Sequence, residues 1–279
     1  MENKSENKIE YNQYDKINIY LTGYGPFLTV KTNPAEIISE HILQKSSELN
    51  TNNTSILYNQ IFEVTTEYVD NHIEKLFNFI KKCDTNENIL HIIISLGVAE
   101  NRKLNTLETR AQNHIYDGIV DKKIDENLND NYYSKNPIKH IIKGIQKFKN
   151  SECKFSNNAG TYLCNYMYFK TSTECLNKKN WCSFFLHVPL LQNYGLDKHE
   201  NFFKNLIQIL EDLYIKGNEE KRKKILEYEI NEEDEHIDEW NKKSKIQEKE
   251  QQSSQDDEKN KDEKIDENEK NDNSEKKEK

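Results

Sequence analysis

A cysteine in the second half of the chain has a setting that suits nucleophilic catalysis. Cys164 follows a polar, glycine-containing turn and stands within the first turn of a predicted helix. Unpaired N–H groups and the positive end of the helix dipole favour a thiolate there, and the same N–H groups can stabilise an oxyanion. A buried structural cysteine is the alternative interpretation. Cys164 is therefore a candidate nucleophile that needs partners.

His187 is the candidate general base. It ends an apolar run at residues 184–186 and precedes Val188 and Pro189, so we expect it where a strand leaves the sheet at its carboxyl end. From there the imidazole could deprotonate Cys164 and then protonate a leaving amine. A hydrogen-bonded core histidine is the competing interpretation. Other histidines fall inside an apolar strand or on helical and tail segments, which suits them less well to this role.

Glu108 could supply the third group, a carboxylate that holds the imidazole in its productive tautomer. It lies in an extended segment, residues 104–111. Period-two alternation there puts Thr106 and Glu108 on one side and Leu107 on the other. Periodicity alone favours an exposed strand carboxylate, so both interpretations stand.

A glycine turn, residues 22–27, follows the first predicted strand and reads Thr-Gly-Tyr-Gly-Pro-Phe. It lacks the third glycine of a dinucleotide fingerprint, and Pro26 is incompatible with a loop that cradles phosphate. Tyr24 and Phe27 would instead form a flat apolar wall for a small ring. The turn therefore favours a small-ring pocket over a nucleotide site.

Short apolar runs alternate with longer segments of helical period, which is typical of a parallel sheet with crossover helices. Strands are predicted at residues 17–21, 55–62, 89–96, 104–111 and 183–188. Asn33 and Pro34 predict the start of a helix, and further helices follow from apolar faces at residues 69–80 and 202–213. The predicted fold class is α/β, with one domain whose mostly parallel sheet is flanked by helices.

The four chemically interesting segments all follow predicted strands or precede a predicted helix. In open α/β sheets, sites form in the crevice beyond the carboxyl ends of the strands. We therefore expect the same edge of the sheet to gather residues 22–27, 97–108, 156–164 and 187–189.

Composition divides the 279 residues unevenly. Residues 1–15 form a polar N-terminal extension, and residues 16–216 carry the apolar patterning of the domain. Residues 217–279 are a low-complexity charged tail that is predicted to be disordered, because it cannot bury a core. Inside the domain, the polar stretch 114–140 predicts a long surface loop.

Several functional classes are disfavoured. The net charge is −9 and the chain shows no contiguous basic face, so we expect no nucleic-acid partner. The five cysteines are odd in number and lack metal-ligand spacing, which argues against a disulfide framework or a zinc site. A polar amino terminus and the lack of any run of about twenty apolar residues predict neither a signal peptide nor a membrane span. A reducing, cytoplasmic location is the default expectation.

Taken in order, these segments resemble the motifs of the type I pyroglutamyl peptidases, cysteine peptidases that remove amino-terminal pyroglutamate (5-oxoproline). Residues 22–27 with Asn33-Pro34 resemble the family's T-G-F-x-P-F and N-P, and Gly97 with Glu108 resembles its glycine and glutamate segment. Ala-Gly-Thr-Tyr-Leu-Cys-Asn at 159–165 resembles A-G-x-[FY]-[VL]-C-[ND], and Leu-His-Val-Pro at 186–189 resembles [IV]-H-[IV]-P. The resemblance covers residues 17–213.

The resemblance implies a role for each of these residues. Cys164 would be the nucleophile, His187 the general base and acid, and Glu108 the orienting carboxylate. The backbone of Val98 would pair with the lactam of the ring, and the pocket would be lined by Tyr24, Phe27 and Tyr162. The implied partners are N-terminally pyroglutamylated peptides, attacked through a thioester, and the implied chemistry needs no cofactor.

Three departures from the family pattern affect these expectations. Gly118 stands where bacterial members have an arginine ten residues after the glutamate, Leu28 replaces a glycine, and the charged tail has no counterpart. Two alternatives remain open at this point: a non-catalytic homologue that binds pyroglutamyl peptides, and another cysteine aminopeptidase on the same fold that requires a free amine.

Overall fold

Ten strands make up the β structure of the part of the chain that this computed structural model describes, residues 13–27, 31–116, 121–134 and 137–228. In chain order they are β1 (Lys16–Tyr24), β2 (Thr54–Phe62), β3 (Ile89–Val98), β4 (Thr106–Glu108), β5 (Arg110–Gln112), β6 (Ile115–Tyr116), β7 (Asp121–Lys122), β8 (Asn131–Tyr133), β9 (Lys154–Ser156) and β10 (Trp181–Val188). A six-stranded sheet has the order β2-β1-β3-β10-β4-β9, while β5 pairs with β8 and β6 with β7.

Helices cover both faces of the large sheet. They are α1 (Pro34–Gln44), α2 (Ser46–Leu49), α3 (Thr66–Cys83), α4 (Ile138–Lys149), α5 (Leu163–Cys175), α6 (Leu196–Tyr214) and α7 (Glu219–Leu226). The apolar faces of α1, α4 and α6 share one buried cluster with the sheet, and those of α3 and α5 share the other. None of the helices in the described ranges is both long and apolar enough to span a membrane.

The centre of the sheet is parallel, as the sequence predicts. β1, β3 and β10 lie side by side in parallel register, and β2 extends them on the β1 side. β3 is buried along nearly its whole length, because helices cover both faces of a parallel sheet and its strands are therefore continuously apolar. The predicted strands at 17–21, 55–62, 89–96 and 183–188 are confirmed, each slightly extended.

The predicted extended segment 104–111 is two strands rather than one. β4 pairs antiparallel with β10 and parallel with β9, whereas β5 belongs to a separate ladder with β8. The chain changes sheets at Thr109, whose N–H donates to the carbonyl of Ser156, 2.6 Å away. Periodicity alone could not reveal this break, because its cause lies almost fifty residues further along the chain.

The prediction of a long surface loop at residues 114–140 is wrong where the structure describes them. The stretch contains β6, β7 and β8 and the start of α4. Its organiser is Asn113, a buried amide whose oxygen accepts the N–H groups of Ile124 and Asp125 and whose nitrogen donates to the carbonyls of Asp125 and Leu128. One fully hydrogen-bonded asparagine thus orders this stretch, while Ile115, Ile124 and Leu128 pack against the buried apolar cluster on the α3–α5 side of the sheet.

The boundaries placed at residues 15 and 217 also need correction. Tyr14 forms a bridge with Ile215, so the fold begins slightly earlier than composition indicates. After Gly217 the chain forms α7, which buries Ile225 and places the guanidinium of Arg222 on the carbonyls of Leu213 and Ile215. From residue 229 onward, the predicted tail lies outside the described residues.

We predict that Arg222→Met destabilises the protein by about 1–3 kcal/mol, because the carbonyls at the end of α6 lose a buried, charged donor. The measurement is urea unfolding followed by circular dichroism. Lys224→Met is the matched control, since Lys224 is an exposed cation on the same helix. Equal unfolding midpoints for the two variants would contradict this account of α7.

Buried His199 predicts a loss of stability on acidification. Its side chain is 0% exposed and its ring packs edge-on against Tyr194. Burial and, to a smaller extent, nearby His41 lower the pKa of His199 from 6.5 to about 4, although the Tyr194 backbone and Asp197 oppose them. The unfolded chain therefore binds the extra proton first, and stability falls between pH 6.5 and about 4.

We expect wild-type protein to lose up to about 3 kcal/mol through this group over that interval. His199→Leu cannot take up the proton, so its unfolding free energy should decline less between pH 7 and pH 4. Urea titrations at several pH values measure the difference between the two proteins. Parallel curves for both would show that His199 does not drive the acid sensitivity.

Candidate active site

Cys164 occupies the first turn of α5, in agreement with the sequence prediction. The helix begins at Leu163, and its first hydrogen bond runs from the N–H of Tyr166 to the carbonyl of Tyr162, 3.0 Å away. The N–H groups of residues 163–165 precede that bond, so their acceptors cannot come from the helix itself. Cys164 is a half-buried free thiol. The arrangement pairs a nucleophile with donors suited to an oxyanion.

Gly97 makes room for the thiol. A Cβ added to this residue would lie 2.6 Å from the Sγ of Cys164 and 2.8 Å from the Phe185 ring, and both distances are below contact. Gly97 is next to the last residue of β3 and is paired with His187 of β10. A glycine is therefore required where the start of α5 meets the carboxyl ends of two central strands.

Glu108 and His187 form a buried pair. The Nδ1 atom of His187 lies 2.7 Å from Oε1 of Glu108, and the two side chains are 7% and 0% exposed. The β4–β10 ladder sets this contact by pairing Thr106 with His187. Thr106 and Glu108 share a side of the strand, as alternation predicts. The interpretation of Glu108 as an exposed carboxylate is wrong, because β9 and the turn before β4 enclose it.

The imidazole of His187 also meets Cys164. Burial disfavours the imidazolium, but the adjoining Cys164, which hydrogen-bonds the ring, and Glu108 together outweigh it and raise the pKa of His187 from 6.5 to about 9. The three side chains therefore form one chain of contacts, from thiol to imidazole to carboxylate. Such an arrangement can activate a thiol and transfer its proton.

Arg102 is a charged neighbour that the sequence analysis did not identify. Its Nη2 atom lies 3.1 Å from Oε1 of Glu108, 3.1 Å from Oγ of Ser156 and 3.3 Å from the carbonyl of Asn158. The only signal in the sequence is a cation in the short segment between a buried strand and Glu108. Its partners at 156 and 158 could not be paired with it without the fold.

The sequence analysis also did not identify the structural role of Asn165. This fully buried residue accepts the N–H of Gln112 at 2.8 Å and donates to the carbonyls of Gln112 and His114, each at 2.8 Å. It therefore fixes the segment from β5 to β6 against the helix turn that carries Cys164. Gly118 and Leu28, where the chain departs from the family pattern, lie outside the described residues.

The four residues predicted to line a ring pocket differ in placement. Tyr24 is buried and its hydroxyl donates to the carbonyl of Leu163 at 2.7 Å; burial, then Cys164 and Tyr162, raise the pKa of its phenol. Tyr162 is 41% exposed at the start of α5. Val98 ends β3, directly after Gly97, and is half-buried. Phe27 is half-buried at the end of the glycine turn.

Metal ligation needs several convergent donors. Within the described residues, no three His, Cys, Asp or Glu side chains are grouped in a way that could hold a metal ion. The polar groups around Cys164 are instead engaged with one another, as the contacts of Glu108, His187 and Arg102 illustrate.

Comparison with known proteins identifies the family of this chain. A sequence model of the pyroglutamyl peptidase family matches residues 17–211. A pyrrolidone-carboxylate peptidase from Oceanobacillus iheyensis is 31% identical over 187 residues, which are 64% of this chain and 86% of that protein. One from Fusobacterium nucleatum is 31% identical over 206 residues, 71% of this chain and 89% of that protein.

Solved structures agree on the fold. The pyrrolidone carboxyl peptidase of Thermococcus litoralis superposes with a TM-score of 0.57 at 24% identity, covering 70% of this chain and 94% of that one. At 24% identity this structural similarity shows the fold alone. The family is shown by the sequence match, which extends over residues 17–211. The resemblance drawn from the four motifs is confirmed: this chain belongs to the pyroglutamyl peptidase family.

Proposed function

We propose that the protein is a cysteine exopeptidase that hydrolyses the amino-terminal pyroglutamyl residue from peptides. Cys164 is the nucleophile, His187 the general base and acid, and Glu108 the carboxylate that orients His187. The observation that carries the proposal is the buried Glu108–His187 contact of 2.7 Å, with the imidazole hydrogen-bonded in turn to a thiol at a helix start. Membership of the family supports the same reaction.

In the first half-reaction the sulfur of Cys164 attacks the carbonyl carbon that follows the lactam ring. The carbonyl oxygen becomes an oxyanion, which the N–H groups at the start of α5 can stabilise. His187 then gives its proton to the nitrogen of the leaving peptide, and the C–N bond breaks to leave a pyroglutamyl thioester. Glu108 keeps the Nδ1 proton in place, so that Nε2 faces the reaction.

In the second half-reaction a water replaces the released peptide. His187 takes a proton from that water as it attacks the thioester carbon, and collapse of the tetrahedral intermediate breaks the C–S bond. The products are free pyroglutamate and the regenerated thiolate–imidazolium pair. No redox partner enters this balance, because the proton that His187 gives to the leaving amine is replaced by the one that it takes from water.

The ring itself is neutral, since a pyroglutamyl residue has no free amine. Apolar faces and backbone hydrogen bonds therefore suit it better than an acidic anchor. We propose that the ring lies against Tyr24, Phe27 and Tyr162, with its lactam paired to the backbone of Val98. The proximity of Tyr24 and Tyr162 to Cys164 supports this, as does the position of Val98 directly after Gly97.

We also propose that the enzyme works in the reducing cytoplasm. All five cysteines are free thiols, and the reaction needs Cys164 in its reduced form. An oxidising compartment would expose that thiol to disulfide formation.

Replacement of the nucleophile is the direct test. Cys164→Ser should lower kcat/KM for a fluorogenic pyroglutamyl amide by at least about 1,000-fold, because an unactivated hydroxyl is a poor nucleophile. Cys83→Ser, which changes a half-buried thiol on α3, is the control and should remain active. Full activity of the Cys164 variant would rule out this mechanism.

A pair of substrates separates the remaining alternatives. The glutaminyl amide differs from the pyroglutamyl amide in having an open chain and a charged amine, so an aminopeptidase would prefer it. We expect turnover of the pyroglutamyl amide alone. Binding of that amide without turnover, together with slow alkylation of Cys164 in the wild type, would identify a non-catalytic homologue instead.

The raised pKa of His187, about 9, predicts the basic limit of activity. Below that value His187 is an imidazolium and can protonate the leaving amine. Above it the imidazolium loses its proton, so kcat/KM should fall with an apparent pKa near 9 that belongs to the pair. A pH profile from 6 to 10.5 measures this. A decline already complete by pH 7.5 would contradict the assignment.

A further inference from the structure

We propose that Arg102 is a positioning residue of this site, which fixes the Glu108 carboxylate, balances its charge and thereby sets the state of the Cys164–His187 pair. The inference rests on the proposed function, but it concerns the charge balance of the site rather than the substrate. It gives a defined task to Arg102, which acts on the site through Glu108.

The contacts of one nitrogen carry the geometric argument. Nη2 of Arg102 approaches Oε1 of Glu108, Oγ of Ser156 and the carbonyl of Asn158 within 3.1–3.3 Å. Glu108 follows β3 and the turn after it, whereas Ser156 and Asn158 lead into the turn before α5. A single guanidinium group therefore joins the strand that carries the acid to the segment that carries Cys164.

Burial makes the charge of Arg102 matter. Glu108 is 0% exposed and Arg102 only 12%, so water screens their interaction weakly. A buried carboxylate needs a compensating charge, and removing one partner of such a pair is strongly unfavourable. His187 alone cannot supply that compensation throughout the reaction, because it gives its proton to the leaving amine and stays neutral until water supplies another.

The net charge of the site depends on Arg102. The groups that face one another are Arg102 from the β3–β4 connection, Glu108 from β4, His187 from β10 and Cys164 from α5. Tyr168 of α5 donates a neutral hydroxyl to the backbone carbonyl of Glu108, and the neutral phenol of Tyr24 from β1 lies near Cys164. With Arg102 present, the thiolate–imidazolium state is neutral overall. Without it, the same state is net negative and holds every proton more tightly.

The two donors compete for one oxygen. Both His187 and Arg102 approach Oε1 of Glu108, at 2.7 and 3.1 Å. Arg102 therefore limits how strongly the carboxylate holds the imidazolium, which must release its proton to the leaving amine. Removing the arginine should move both limbs of the pH profile to higher pH, whereas a purely structural defect would lower the rate at every pH without moving the profile.

The experiment measures alkylation of Cys164 by iodoacetamide as a function of pH, since this readout needs no peptide. We expect the profile of Arg102→Met to move upward by about one pH unit relative to wild type. Arg102→Lys keeps a cation on a shorter stem and should recover most of that shift. Arg110→Met is the control: Arg110 donates only to the carbonyl of Asn157 among the contacts described, so its profile should match wild type.

A second background distinguishes action through Glu108 from a general loss of structure. In Glu108→Gln the buried negative charge is absent, so combining it with Arg102→Met restores the net charge of the wild-type site, and the alkylation profile of the double variant should return toward that of wild type; the double variant also carries no unpaired buried charge that would impair folding. A double variant whose profile stays shifted as far as that of Arg102→Met would overturn the proposal. So would an unshifted Arg102→Met profile, or a Lys variant that behaves like the Met variant.

The same data separate this inference from the proposed function. If wild-type protein fails to cleave a pyroglutamyl amide, the proposed function is wrong, while the alkylation profiles still decide the role of Arg102. If cleavage proceeds but the alkylation profile of Arg102→Met matches that of wild type, only the positioning role is wrong.

Discussion

The buried charge of Glu108 constrains the rest of the site. A carboxylate with no access to water must be matched by donors held at fixed distances, and here the donors come from separate parts of the chain. His187 arrives at the end of β10, Arg102 from the connection after β3, and Tyr168 holds the carbonyl of Glu108 from α5. The contacts of Glu108, two at its carboxylate and one at its backbone carbonyl, therefore fix the relative positions of two strands and the helix that carries the nucleophile.

The other side of Cys164 depends on close packing rather than charge. Its sulfur rests where Gly97 has no side chain, so α5 can approach the sheet more closely than any other residue at that position would allow. Tyr24 donates a hydrogen bond to the carbonyl of Leu163, and Asn165 accepts one from the N–H of Gln112 in β5. Cys164 is thus positioned by contacts with the sheet, with the glycine turn and with the segment from β5 to β6.

Much of this arrangement could be predicted from the sequence. The uninterrupted apolar run of β3 and the histidine that ends β10 are local signals, and the order of four motifs identified the family. The helix start at Cys164 followed from the turn before it. These features depend on residues close together in the chain, which is where patterns of propensity and burial are informative.

The features that could not be predicted depend on distant pairs. The burial of Glu108 requires β9 and Arg102, and the break between β4 and β5 requires Ser156, which lies almost fifty residues away. Asn113 resembles any loop asparagine until its four side-chain hydrogen bonds are known. The helix α7 forms in a highly charged stretch because Arg222 and Ile225 find partners on elements already folded.

The bridge between Tyr14 and Ile215 has a practical consequence. The backbone of Tyr14 donates to the carbonyl of Tyr214 and accepts the N–H of Lys216, so the segment after α6 lies directly beside the residues that lead into β1. This happens before β1 begins, at the amino end of the parallel strands, while Cys164 and His187 stand at the carboxyl end. A fused reporter or a surface tether attached before Tyr14 would consequently hold the molecule by the side farthest from its reactive thiol and leave the approach to that thiol open.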